Sequence, residues 1–128
     1  MKLDEIATVT RNIEQGAWVA DLPNLPGVSV KVRGAYNADY SRLLAKLRSE
    51  MSPEEIRDPN IQDSLEPQLL HETVLLDWDG IEDTPYSKET AARLLTHPDY
   101  AAFRRAVSYA ANVVARQGKA SLEAARKN

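Results

Sequence analysis

The hydrophobic period changes partway along the chain, and this change limits the fold more than any other feature. From Val28 to Arg33 the residues alternate. Val28, Val30 and Val32 point one way, and Ser29, Lys31 and Arg33 the other. That is the pattern of a strand with one buried and one wet face. Gly34 ends it. Beyond it, Tyr40, Leu43, Leu44, Leu47 and Met51 recur at helical spacing on one face. Strands first and helices afterwards predict an α+β fold. We expect a small N-terminal antiparallel sheet of about three strands, packed against C-terminal helices.

The remaining elements follow from local chemistry. Ile6, Thr8, Val9, Thr10 and Ile13 are rich in β-branched types, so residues 6–13 read as a strand. Gln15-Gly16 supplies a turn, and residues 17–20 read as a second short strand. Two prolines and a glycine between Asp21 and Gly27 make a loop. Asn37 or Asp39 is the expected N-cap of the helix over 40–51. Ser52-Pro53-Glu54-Glu55 has the form of a capping box with proline at the first helical position. The short helix it opens should end before Pro59. Ile61, Leu65, Leu69, Leu70, Val74 and Leu76 predict a helix over 61–77. Pro67 implies that this helix starts near Pro67, or near Asp63 with Pro67 inside its first turn. Residues 77–86 read as a polar, turn-rich segment around Trp78. Ser87 caps a helix over 88–96, and His97-Pro98 breaks the chain. A long amphipathic helix over 98–116 carries Tyr100, Phe103, Val107, Ala110, Ala111 and Val114, with Gly118 as its C-cap. The 128 residues fit one domain, mainly β over 1–36, mainly α over 37–118, with a frayed tail over 119–128.

The net charge of −3 conceals an uneven distribution. It is +2 over residues 1–49, −10 over 50–90 and +5 over 91–128. So acidic a middle opposes binding to a phosphate backbone, so no nucleic-acid partner is expected. The segments can pair within the chain, or they can form a bipolar surface that steers a protein partner. There is no cysteine, which removes disulfides, thiolate nucleophiles and cysteine-based metal sites. Met1 to Glu5 turns acidic with no apolar run, so no secretory leader is expected, and no apolar stretch reaches membrane-spanning length.

No pattern of catalytic side chains emerges. His71 and His97 lack a second histidine at ligand spacing, and His97 before Pro98 reads as a cap. The acidic run Asp77, Asp79, Glu82, Asp83 fails the calcium-loop pattern at its later positions, which hold Ile81, Glu82 and Lys88. No phosphate-binding glycine loop or nucleophile elbow occurs. We therefore expect no cofactor, no metal and no enzymatic activity. Trp18 in its strand reads as a core or core-edge residue. Trp78 reads equally as a core anchor or a partner contact. The helices over 61–77 and 98–116 carry more apolar residues than a three-stranded sheet buries. They can pack on each other, or remain open for partners and self-association.

Two stretches carry a family resemblance. One is Gly16-Ala17-Trp18-Val19, a Pro/Gly loop, Val28 to Gly34, then Asn37 and Tyr40. The other is Leu75-Leu76-Asp77-Trp78-Asp79-Gly80-Ile81, an acidic spacer, Pro85-Tyr86-Ser87, a helix ending in Leu94-Leu95, and Pro98-Asp99-Tyr100. In order and spacing, over roughly residues 16–115, the chain resembles the tail assembly chaperones of long-tailed phages and prophages. That resemblance implies a non-enzymatic factor of the host cytoplasm. It would bind the tape measure protein and tail tube subunits during tail morphogenesis, and could form a homo-oligomer. Candidate protein-binding residues are Trp78, Gly80, Tyr86, Leu69, Leu76, Tyr100, Phe103 and Val107. The alternatives are a structural minor tail protein of terminator or connector type, and a small regulatory protein.

Overall fold

A computed structural model describes residues 1–116. The expected Gly118 cap and the tail over 119–128 lie outside the described residues. The element order is α1 (Leu3–Gln15), β1 (Ala17–Val19), β2 (Ser29–Val32), α2 (Ala38–Ser49), α3 (Pro53–Arg57), α4 (Pro59–Thr73), β3 (Leu75–Asp79), α5 (Lys88–Thr96), a 3₁₀ turn (Pro98–Tyr100) and α6 (Ala101–Arg116). The strands form one antiparallel sheet in the order β1-β2-β3. The α+β class and the three-stranded antiparallel sheet against helices are as expected.

The third strand is not where the sequence placed it. Residues 6–13 are helical, within α1, so helix outweighs strand in the N-terminal 36 residues. Two threonines explain how a β-branched run accepts a helix. The Thr8 hydroxyl donates to the Asp4 carbonyl (2.9 Å) and the Thr10 hydroxyl to the Ile6 carbonyl (3.2 Å). The missing strand is Leu75–Asp79, read from sequence as the end of a helix and a turn. α4 runs from Pro59 to Thr73 and then stops, which releases Leu75 and Leu76 to pair with β2. Pro67 lies in the middle of α4, not in its first turn. A mid-helix proline costs roughly 3 kcal/mol, and the burial of Leu65, Leu69, Leu70 and Thr73 on α4 opposes that cost.

One face of the sheet carries Val19, Val30, Val32 and Trp78 into the main core. There they meet Leu70, Val74, Leu94, Leu95, Phe103, Val107 and Val114. α6 lies across this face and is buried from Phe103 to Val114 along one side. A smaller cluster of Leu44, Leu65 and Leu69 joins α2 to α4. Asn37 ties the two regions together. It is fully buried, and its side chain accepts from the Tyr40 N–H (2.9 Å). It also donates to the carbonyls of Gly34 (3.0 Å) and Thr73 (2.9 Å).

Among the described residues, the hydrogen bonds that fasten α1 to the rest of the fold lie at its C-terminal end. The Ile13 carbonyl accepts from the Gly34 N–H (2.9 Å), and the Glu14 carbonyl from Arg33 Nε (2.7 Å). The Glu14 carboxylate accepts from the Ala38 N–H, and Arg33 also bonds Asp39 (2.8 Å). Arg33 and, secondarily, Arg42 hold the Asp39 carboxyl below the usual carboxylate range.

Candidate protein-binding surface

The tryptophan-and-glycine motif of β3 is used inside the molecule. Strand alternation turns Trp78 inward opposite Val30. Its ring packs edge-on against Tyr86 (centroids 5.1 Å) and Phe103 (5.6 Å), and its indole N–H donates to the Thr84 carbonyl (2.7 Å). Gly80 turns the chain after β3 with φ 94°, and a Cβ there would collide with the Gly27 carbonyl oxygen. Ser87 then accepts from the Thr90 N–H (3.1 Å) and starts α5. The motif therefore fixes the hinge between the sheet and the last two long helices. Burial, with the nearby Asp77 carboxylate, raises the Tyr86 phenol above its usual range.

The other expected contact residues divide. Leu69, Phe103 and Val107 are buried, so their apolar surface is taken up by the chain itself. Most of the apolar surface of α4 and α6 packs against the sheet and neighbouring helices in the same way. Leu76 and Tyr100 are exposed, and Gly80 lies at the surface. His97 caps the 3₁₀ turn as expected, its Nδ1 accepting from the Asp99 N–H (3.1 Å), with its ring 5.5 Å from that of Tyr100.

Two further surfaces stand apart from the main core. The first is the N-terminal half of α1. Leu3 is 81% exposed and Ile6 50%, Val9 and Ile13 are half-buried, and no residue of the helix is fully buried. The spacing of Leu3, Ile6, Val9 and Ile13 carried a helical signal, which the β-branched composition masked. The second is the outer face of the sheet, where Trp18, Lys31 and Asp77 stand opposite one another across β1, β2 and β3. Trp18 is thus a half-buried residue of the outer face, while Trp78 belongs to the core. A half-buried Trp18 fits the edge of the core and not its interior. A β-bulge makes Leu76 an extra residue between the Lys31–Asp77 and Val32–Leu75 pairs. Its methyl lies where Gly16 would carry a Cβ, and the positive φ of Gly16 (99°) is what favours glycine at that position. Local sequence could not locate this face, because it depends on which strand pairs with which.

Between the acidic and basic segments, Arg104 of α6 meets Glu66 of α4 at 3.6 Å. Burial raises the Glu66 carboxyl above its usual range, against the opposing pull of Arg104. Among the described residues, no group of three or more His, Asp or Glu is placed to hold a metal ion. No described helix is long and apolar enough to cross a membrane.

In comparison with known proteins, the family model described as "YdaY prophage protein" matches residues 33–128. The matched span contains α2 to α6 and β3 and excludes α1, β1 and β2. No curated protein and no solved structure matches the chain.

Proposed function

The chain belongs to the YdaY prophage protein family, and from that premise we propose that it is a non-enzymatic tail assembly chaperone. In this reading it works in the host cytoplasm and binds the tape measure protein, the tail tube subunit or both. The observation that carries the proposal is the unburied half of α1. A helix end bearing Met1, Leu3 and Ile6 in water is costly for a lone protein, and it becomes favourable once a client covers it. An amphipathic helix fastened at one end suits a client that is itself helical and apolar along one side. The order and spacing of the tryptophan–glycine and Pro-Tyr-Ser motifs add support through the tail-chaperone resemblance.

Co-expression of the tagged chain with the long helical reading frame of its prophage tests this. The wild type should capture that product, and Leu3→Ser/Ile6→Ser should lose capture while its melting temperature stays within a few degrees. A chain present at stoichiometric level in purified particles would make it a structural tail component. Equal capture by wild type and the double variant would remove α1 from the mechanism.

A further inference from the structure

We propose that the exposed half of α1 is a self-association surface, which packs antiparallel against the same half of α1 in a second copy of this chain. The pairing itself does not depend on the client, whereas its use as an idle state that a client displaces rests on the function proposed above.

The helical repeat places Leu3, Ile6, Ala7 and Thr10 on one side of α1. Leu3 is 81% exposed and Ile6 50%, and Ala7 and Thr10 are exposed as well. Thr8, Val9, Asn12 and Ile13 are half-buried, so the body of the protein lies behind this open side. The charges beside it are arranged in a particular way. Asp4 and Arg11 stand one heptad apart, so they share one flank of the open side. Both are exposed, and neither takes part in an ion pair among the described residues.

Charge complementarity selects the occupant. A two-fold axis passing between Ala7 and Thr8 sets Asp4 level with the second copy's Arg11, and Arg11 level with its Asp4, the isologous arrangement of a symmetric dimer. In an antiparallel helix pair each flank meets the same flank of the other helix, so both opposite-charge pairs form on one side. A parallel pair brings like charges level, and the charge order therefore fixes direction as well as partner. Ile6 and Ala7 of both copies meet near the axis, and Leu3 lies between the second copy's Thr10 and Ile13. The remaining charges do not upset this match. The Glu5 carboxylate turns back to the Lys2 N–H (3.4 Å), the Glu14 carboxylate is taken up by the Ala38 N–H (3.0 Å), and Lys2 comes level with the second copy's Ile13. The contact is short, about ten helical residues from each copy, and buries less than the roughly 1,200 Å² of a stable complex. The association is therefore weak, which lets a client with a longer apolar helix displace it.

Sedimentation equilibrium on the full chain alone, over about 10 to 1,000 μM, tests the proposal, with a dimer Kd of about 100 μM expected for wild type. Asp4→Arg alone and Arg11→Asp alone each bring like charges level. Each should raise that Kd about tenfold while the helicity read by circular dichroism stays unchanged. An equimolar mixture of the two variants should regain wild-type association, because the heterodimer restores both opposite-charge pairs. A wild type that stays monomeric throughout, single variants that associate as tightly as wild type, or a mixture no tighter than its components overturns the proposal. A second measurement needs no variant. Amide spectra of nitrogen-15-labelled wild type at about 10 and 1,000 μM should differ at residues 3–11, and spectra that coincide there overturn the proposal. None of these samples contains a client, and both single variants keep Leu3 and Ile6. Failure here therefore leaves the client reading to the capture experiment with Leu3→Ser/Ile6→Ser.

Discussion

Replacing Asn37 separates two roles that one side chain fills. Asn37→Ala removes the cap on the Tyr40 N–H and the donor to the Thr73 carbonyl. Losing an N-cap costs about 1 kcal/mol, and leaving a buried carbonyl short of a donor costs roughly 1–3 kcal/mol. The Gly34 carbonyl adds little, because it also accepts from the Asn37 backbone N–H. The expected loss is about 3 kcal/mol, which at a urea slope of about 1.5 kcal/mol/M lowers the midpoint by about 2 M. Asn37→Asp makes the test sharper. It keeps the acceptor for Tyr40 but turns a carboxylate oxygen toward the two carbonyls that the amide bonded. At pH 7 it should lose at least as much stability as the alanine variant. Burial raises that carboxyl's folded-state pKa above its unfolded value. The deficit should therefore shrink as pH falls through the folded pKa, where the protonated acid can donate again. Urea unfolding followed by circular dichroism at pH 7 and pH 5 reads both effects. An Asp variant within about 0.5 kcal/mol of wild type at pH 7 would refute the reasoning, since it would leave only the cap as important.

Other positions make separate predictions. Gly80→Ala should destabilise by about 2–3 kcal/mol in the same assay, since it combines a positive φ with a collision against Gly27. Trp78→Phe should cost about 1–3 kcal/mol by losing the bond to Thr84. It should also leave a fluorescence spectrum red-shifted and open to acrylamide, because only half-buried Trp18 remains. Trp18→Phe should leave a blue-shifted, protected spectrum from Trp78. Glu66 has a raised folded pKa, so between its unfolded and folded values the native state holds more proton, and stability falls as pH rises through that window. Glu66→Gln should flatten that decline without destabilising the protein at pH 7, and a large loss at pH 7 would mean that the Arg104 pair dominates.

The fold class was legible because its two signals are local. Alternation over residues 28–33 marked β2, and stripes such as Tyr40 to Met51 and Phe103 to Val114 marked α2 and α6. The caps at Asn37, Ser52, Ser87 and His97 were legible too, because each acts within three residues. The failures share one cause. α1 was misread because threonine and isoleucine favour strands on average, and the threonine bonds back to the helix do not show in composition. β3 was misread because Leu75 and Leu76 continue the apolar spacing of α4, and only pairing with β2 pulls them into the sheet. The outward side of Trp18 and the inward side of Trp78 follow from the same pairing. For the same reason the exposed apolar residues stand on α1 and not along the buried sides of α4 and α6.

The pairing of β2 with β3 also has a bearing on synthesis. Val30 pairs with Trp78, a partner 48 positions later in the chain. Three residues of β1 and four of β2 make a hairpin too small to persist alone in water. A nascent chain therefore emerges with its first third unable to settle until the ribosome has released residues past Asp79, several seconds later at roughly 5–20 residues per second. Ribosome-stalled chains ending before β3 should be digested readily by protease, and those extending past α6 should resist. That delay makes the interval during translation the time of greatest risk to the product.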